Sequence, residues 1–215
     1  MVRITDERSA AQSPGNLPLA DKKYFAFPLS IHGIERAGAE GGTRAAEDLA
    51  TWAYCEAVMN GEPVSAPASS VSVNCAQEGI PHPLLEAQSP TPGPDNLSAG
   101  QALKRSAVYF IWANPDGWRR GDPDNIARFY QRYNGNGVDM NRDWPNIGFT
   151  FEPYTPWSEP ETKGFGEVLQ QIRPQWDGGI DLHGQLIDRA FSFTLLGALP
   201  NGDYSQNQRV LQTVR

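Results

Sequence analysis

Short apolar runs alternate with helical stripes along the chain, and the runs end on polar chemistry. Tyr24-Phe25-Ala26-Phe27 and Leu29-Ser30-Ile31 read as a buried strand. Pro28 removes a ladder donor within it, which predicts an irregular or edge position. Gly41-Gly42 breaks the chain, and Thr43 is placed to cap a helix that carries Ala45, Leu49, Trp52, Ala53 and Glu56 at helical spacing. Gly61 ends that helix. Ala107 to Trp112 is continuously apolar, as expected of a strand covered on both faces, and stops at the turn signal Asn114-Pro115-Asp116-Gly117. Ser158-Glu159-Pro160-Glu161 has the form of a capping box. Phe165, Val168, Leu169 and Ile172 follow at i, i+3, i+4 and i+7, so an amphipathic helix runs to Arg173-Pro174. A last short strand, Ile180-Asp181-Leu182, delivers His183.

Strands and helices alternating without repeats predict an α/β fold with a mixed, largely parallel sheet flanked by helices. In such sheets ligands bind beyond the carboxyl ends of the strands, and His32 and His183 both follow strand ends. Residues 1–20 are polar and hold Pro14, Gly15 and Pro18, which predicts a flexible arm; residues 21–215 form the domain proper. Within it, residues 61–100 are rich in Pro, Ser and Gly and read as a long insertion. Cys75 in this insertion and Cys55 on the preceding helix read either as two unrelated thiols or, as the loop composition favours, as a disulfide that would tether the insertion.

Composition narrows the function classes. The 215 residues carry a net charge of -7 with no run of Lys or Arg, which argues against a nucleic-acid partner. No stretch is long and apolar enough to span a bilayer, and no signal peptide is visible at the start. The chemistry lies instead in Ile31-His32-Gly33-Ile34-Glu35-Arg36. A His and a Glu three residues apart in a turn can face one ion, and imidazole with carboxylate suits Zn²⁺. A catalytic site needs a third protein ligand, and His183 is the natural candidate. His82 lies between two prolines of the insertion and reads as a solvated loop residue. Between the two strand-end histidines, Asn141-Arg142 offers an amide beside a guanidinium fork suited to a carboxylate, and Arg132 adds a second permanent cation.

Taken in order, His32-Gly33-Ile34-Glu35-Arg36, Asn114-Pro115-Asp116-Gly117, Arg132 through Asn141-Arg142, Ser158-Glu159-Pro160-Glu161 and Asp181-Leu182-His183 resemble the zinc metallocarboxypeptidases of the carboxypeptidase A superfamily. The resemblance spans about residues 24–195. It implies one zinc ion held by His32, Glu35 and His183, with Asp139 orienting His32. It further implies that Asn141 and Arg142 hold the terminal carboxylate of a peptide substrate, and that Arg132 polarises the scissile carbonyl. An extracellular or periplasmic location follows from the family as well. The family's general-base Glu has no counterpart: no Glu follows His183, and Asp188 and Asp203 are the only acids there. The chain therefore resembles an incomplete carboxypeptidase domain. Two other functions compete with peptide hydrolysis: a related zinc deacylase of N-acyl amino acids, and a non-catalytic zinc module that binds peptide C-termini.

Overall fold

Two strands that the chain separates widely, Lys23–Leu29 (β2) and Ser106–Trp112 (β3), lie side by side in parallel, with Tyr24 opposite Ala107 and Leu29 opposite Trp112. The computed structural model describes residues 1–33, 35–64, 75, 97–119, 132–145 and 155–183. By backbone contacts the chain divides into Met1–Gly184 and Gln185–Arg215, and the description concerns the first. His82, Asp188, Asp203 and most of the 61–100 insertion lie outside the described residues.

The sheet is mixed and four-stranded, in the order β1-β3-β2-β4. Val2–Ile4 (β1) runs antiparallel to β3, and Trp176–Gly179 (β4) runs parallel to β2. Helices cover both faces, giving an α/β fold. Against one face packs Pro160–Ile172 (α4), whose Phe165 and Ile172 meet Tyr24, Ala26, Ala107, Tyr109 and Ile111. Against the other pack Arg36–Met59 (α1) and Ala99–Arg105 (α2), with Ala46 and Leu103 meeting Leu29, Val108 and Phe110. Alternate residues of β3 thus feed opposite cores, and its burial on both faces is the reason for its unbroken apolar run. Pro115–Arg119 (α3) is a single short helix at the end of β3.

Three local expectations are corrected. Residues 1–20 are not a free arm, because their polar groups have built-in partners. Ser13 and Arg8 donate to Asp6, Arg8 pairs with Glu62 at 2.9 Å, and the Leu17 N–H donates to the Lys104 carbonyl. Lys22, 2% exposed, donates its ammonium to Thr5 Oγ1 and to the carbonyls of Asp6 and Leu103. Gly41-Gly42 does not break the chain: α1 begins at Arg36 and runs through it. Gly42 is needed there for packing, since a Cβ would fall 2.2 Å from Leu29 Cδ2. Thr43 is accordingly inside the helix, its hydroxyl donating to the Ala39 carbonyl.

Pro28 lies in an interior strand rather than at an edge. Its carbonyl accepts from Leu182 N at 2.9 Å, so its missing N–H falls on the same side, beyond the end of β4 at Gly179, where the regular ladder has stopped. The capping box at Ser158 does not form, and Glu159 is the N-cap without a side-chain cap bond. Pro160 removes one donor at the first turn. Asp143, distant in sequence, accepts instead from the Ser158 and Glu159 N–H groups and the Thr162 hydroxyl. The expected disulfide is present: Cys55 and Cys75 are bonded with Cα atoms 5.2 Å apart, and Cys55 is fully buried in α1.

Candidate metal centre

The turn after β2 is shaped by Ser30, whose φ of 51° is unusual for a residue with a side chain. That backbone reversal lets the Ser30 hydroxyl sit 2.9 Å from the His32 carbonyl oxygen and 3.1 Å from that of Glu35. Its own N–H reaches the Leu182 carbonyl at 3.4 Å, tying the turn to the segment that follows β4. Ser30 is buried, and strain of this kind persists only where its surroundings hold it. The result brings His32 and Glu35, both buried, to the carboxyl end of β2. Glu35 is also the N-cap of α1, where the helix dipole favours an anion.

The parallel neighbour supplies the third group. Leu182 bridges to Leu29 in parallel, and His183 stands next to it. The donor atoms of His32, Glu35 and His183 lie within 4.8 Å of one another. His32 Nδ1 is 2.9 Å from Glu35 Oε1, and His183 Nε2 is 3.7 Å from Glu35 Oε2. Ligands about 2.0–2.1 Å from a tetrahedral zinc sit roughly 3.3 Å apart, so these separations bracket what such an ion needs.

Two features of the chain's own polar groups fit a cation there. Glu35 Oε2 is buried and has no hydrogen-bond partner, a costly state for a carboxylate oxygen unless a positive centre meets it. On the opposite side of the His32 ring, Nε2 faces Asp139 Oδ1 at 3.0 Å. With its Nε2 proton donated to Asp139, the Nδ1 of His32 turns a bare lone pair towards Glu35. Lone pair and carboxylate can approach this closely only with a proton or a metal ion between them. Burial disfavours the imidazolium, but the contacts with Asp139 and Glu35 outweigh it and raise the His32 pKa.

Asp139 also collects the rest of the site. Its Oδ2 accepts from Arg132 Nε at 3.0 Å, and its Oδ1 from the Asn141 N–H at 3.0 Å. Burial would raise the Asp139 pKa, yet the hydrogen bonds from His32, Arg132 and the Asn141 backbone hold the carboxyl well below the usual range. Asn141 and Arg142 follow on a 3₁₀ turn, Met140–Arg142, pinned by Met140, which is buried against Ile31, Ala113 and Trp144. Arg142 Nη1 donates to the Asn141 carbonyl at 3.1 Å. The structure thus gathers His32, Glu35 and His183 in one cluster and links Asp139 directly to Arg132, with Asn141-Arg142 beside it in the chain.

Residues that no motif singled out as functional hold this arrangement. Asn114, 2% exposed, donates from Nδ2 to the carbonyls of Ile31 and Arg132, and accepts from the Gly117 N–H. It joins the His32–Glu35 turn to the arginine segment; the turn signal at Asn114-Pro115 located it but not this role. Asp143, 2% exposed, accepts from the N–H groups of Ser158 and Glu159 and from the hydroxyls of Ser158 and Thr162. Glu159 in turn accepts from Asn134 and Asn136. Two buried carboxylates therefore fasten residues 134–143 to the amino end of α4.

Residues 95–187 match the model of the zinc carboxypeptidase family. The match takes in β3, Arg132, Asp139, Asn141-Arg142, α4 and His183, while His32 and Glu35 lie before it and reach the same site through the sheet. No curated protein sequence matches the chain. Among the described residues, no helix is long and apolar enough to cross a membrane.

Proposed function

From the zinc carboxypeptidase sequence at residues 95–187, we propose that this chain is a zinc-dependent carboxypeptidase acting on the C-terminal residue of peptides. The observation that carries the reading is the His32–Glu35–His183 cluster, with the unpaired Glu35 Oε2 inside it. One zinc ion, held by these three side chains, would supply a polarised water and a Lewis acid for the peptide carbonyl. Asp139 keeps the His32 ring in the tautomer that leaves Nδ1 free, and holds Arg132 by its Nε. Arg132 directs its remaining guanidinium donors to the carbonyl oxygen that gains charge. Asn141 and Arg142 bind the free carboxylate of the substrate. As in the family, the protein acts outside the cytoplasm.

The proton-transfer residue is not among these. No Glu follows His183, and among the side chains of the cluster Glu35 is engaged as a ligand. A proton shuttle beside the ion would be worth about 10²–10⁴-fold in rate. A second reading is a module that binds C-termini without cutting them.

Zinc analysis, peptide binding and hydrolysis together test the proposal. The chain should hold one zinc, which His183→Ala largely loses. Arg142→Ala should weaken binding of free-acid peptides about tenfold or more, as loss of a charge-assisted contact does. It should leave amidated peptides little changed. Full zinc retention in a His32→Ala/His183→Ala double variant overturns the metal assignment. Equal affinity of the unaltered chain for free and amidated peptides overturns the carboxylate anchor, and rates of ~1–10³ s⁻¹ overturn the non-catalytic reading.

A further inference from the structure

We propose that Asn136 is a site of spontaneous deamidation, and that the carboxylate formed there removes the Glu159 brace between residues 134–143 and α4. Asn134-Gly135-Asn136-Gly137 holds two Asn-Gly pairs. Asparagine is thermolabile, and a glycine after it puts no side chain in the way of attack by the following backbone nitrogen. At Asn136 the Gly137 nitrogen loses its proton and attacks Cγ. The N–Cγ bond forms, the Cγ–Nδ2 bond breaks, and Nδ2 leaves with that proton as ammonia. Water then opens the cyclic imide. Cleavage at Cγ gives aspartate, and cleavage at the Asn136 main-chain carbonyl gives isoaspartate.

The fold separates the two pairs. Asn134 is 1% exposed, its Oδ1 accepting from the N–H groups of Asn136 and Val138 and its Nδ2 donating to Glu159. Turning that amide towards Gly135 would break all of these bonds. Asn136 and Gly137 are both exposed, on a turn closed by the Gly137 N–H on the Asn134 carbonyl at 3.1 Å. The space beside Gly137 is open, since a Cβ there would meet nothing within 4 Å. Asn60-Gly61 at the end of α1 is exposed too; Glu159 sets Asn136 apart. Asn136 Nδ2 donates to Glu159 Oε2 at 2.8 Å, and Glu159 is 6% exposed. Its described side-chain donors are the Asn134 and Asn136 amides and the Ser158 hydroxyl, none of them a cation. Deamidation puts a carboxylate, which only accepts, where the Asn136 donor stood. Like charge then meets a buried carboxylate with no cation among those donors to offset it, and the docked arrangement is disfavoured.

The full chain is aged at mildly alkaline pH, folded and in urea, then cut with trypsin after Arg132 and Arg142 to release residues 133–142. Mass spectrometry of the folded sample should show the amide-to-acid conversion at Asn136 ahead of Asn134, with aspartate and isoaspartate forms both present. Asn136→Gln should stop conversion at that position, because glutamine closes its larger ring far more slowly. In urea unfolding, Asn136→Asp should lower the midpoint at unchanged slope. The same substitution should lower it much less in a Glu159→Gln background, where the amide can donate to the new carboxylate. If Asn136→Asp does not fold, the aged chain, its deamidated fraction separated by ion exchange, gives the midpoint instead. Three results would overturn the proposal: Asn136 intact in the folded chain after the unfolded chain has converted, Asn134 converting first, or an equal midpoint shift in both backgrounds.

Discussion

Gly38 in the first turn of α1 meets the Leu182 carbonyl with no room for a side chain: a Cβ there would fall 1.8 Å from that oxygen. Because Leu182 adjoins His183, this contact sets how near α1 and the end of β4 bring Glu35 and His183. Gly38→Ala is expected to push the two segments apart, costing about 1–3 kcal/mol through overpacking and weakening zinc binding. Gly41 gives the control, since a Cβ at that position would meet nothing within 4 Å. Gly41→Ala should stabilise the helix by roughly 0.5–1 kcal/mol and leave zinc binding alone. Urea unfolding and zinc titration of the two variants read both effects.

Asp143 stands in for the missing cap of α4. Asp143→Ala takes the acceptor from the N–H groups of Ser158 and Glu159, and the buried Glu159 donor left without an acceptor costs about 1–3 kcal/mol. The segment bearing Asn141-Arg142 loses its hold on the helix at the same time. Lower stability in denaturant, together with weaker binding of free-acid peptides, is the expected pair of results.

Much of this architecture was legible because its signals are local. The apolar run at Ala107–Trp112 and the periodic stripe from Phe165 to Ile172 needed no tertiary knowledge. The meeting of His32 and His183 followed from where parallel strands end. What escaped depends on contacts across the fold. Gly42 reads as a helix breaker until Leu29 is seen against it. Asp143 reads as a loop acid until its donors arrive from residues 158–162. Lys22 reads as a solvated charge, yet it is buried on two carbonyl oxygens and a hydroxyl. Ser30 carries no sign in the sequence of the left-handed backbone that builds the His32–Glu35 turn.

Acid should loosen the amino-terminal segment first at Asp6. Burial pushes this carboxyl up, but hydrogen bonds from the Arg8 and Ser13 side chains and the Arg8 backbone outweigh it and lower its pKa from 3.8 to about 2. A depressed folded-state pKa means the unfolded chain binds the proton first. The stabilisation is therefore present above pH 3.8 and is lost as pH falls towards 2. Asp143 is shifted in the same direction through its four donors, although burial opposes it. Unfolding free energy measured across this window should fall with acid, and Asp6→Asn should flatten the slope.

Reducing the Cys55–Cys75 bond removes a constraint on the segment between them. On the chain-entropy account a loop of this size is worth about 3 kcal/mol. A Cys55→Ala/Cys75→Ala variant should lose a comparable amount, with part of the loss coming from the cavity left by Cys55, which is fully buried. Denaturant midpoints with and without reductant, compared between the two proteins, separate the contributions.

The strand order has a consequence in time. β1, β2 and β3 are all in hand once the chain has been made as far as Trp112, and His32 and Glu35 lie within that length. His183 arrives only when β4 docks beside β2, a closure across most of the chain and therefore slow to nucleate. On the zinc reading, a nascent chain has two ligands long before it has three. The ion then behaves as a latch on the last strand: binding the docked state alone, it would favour docking by about 2.7 kcal/mol at a hundredfold excess over its dissociation constant.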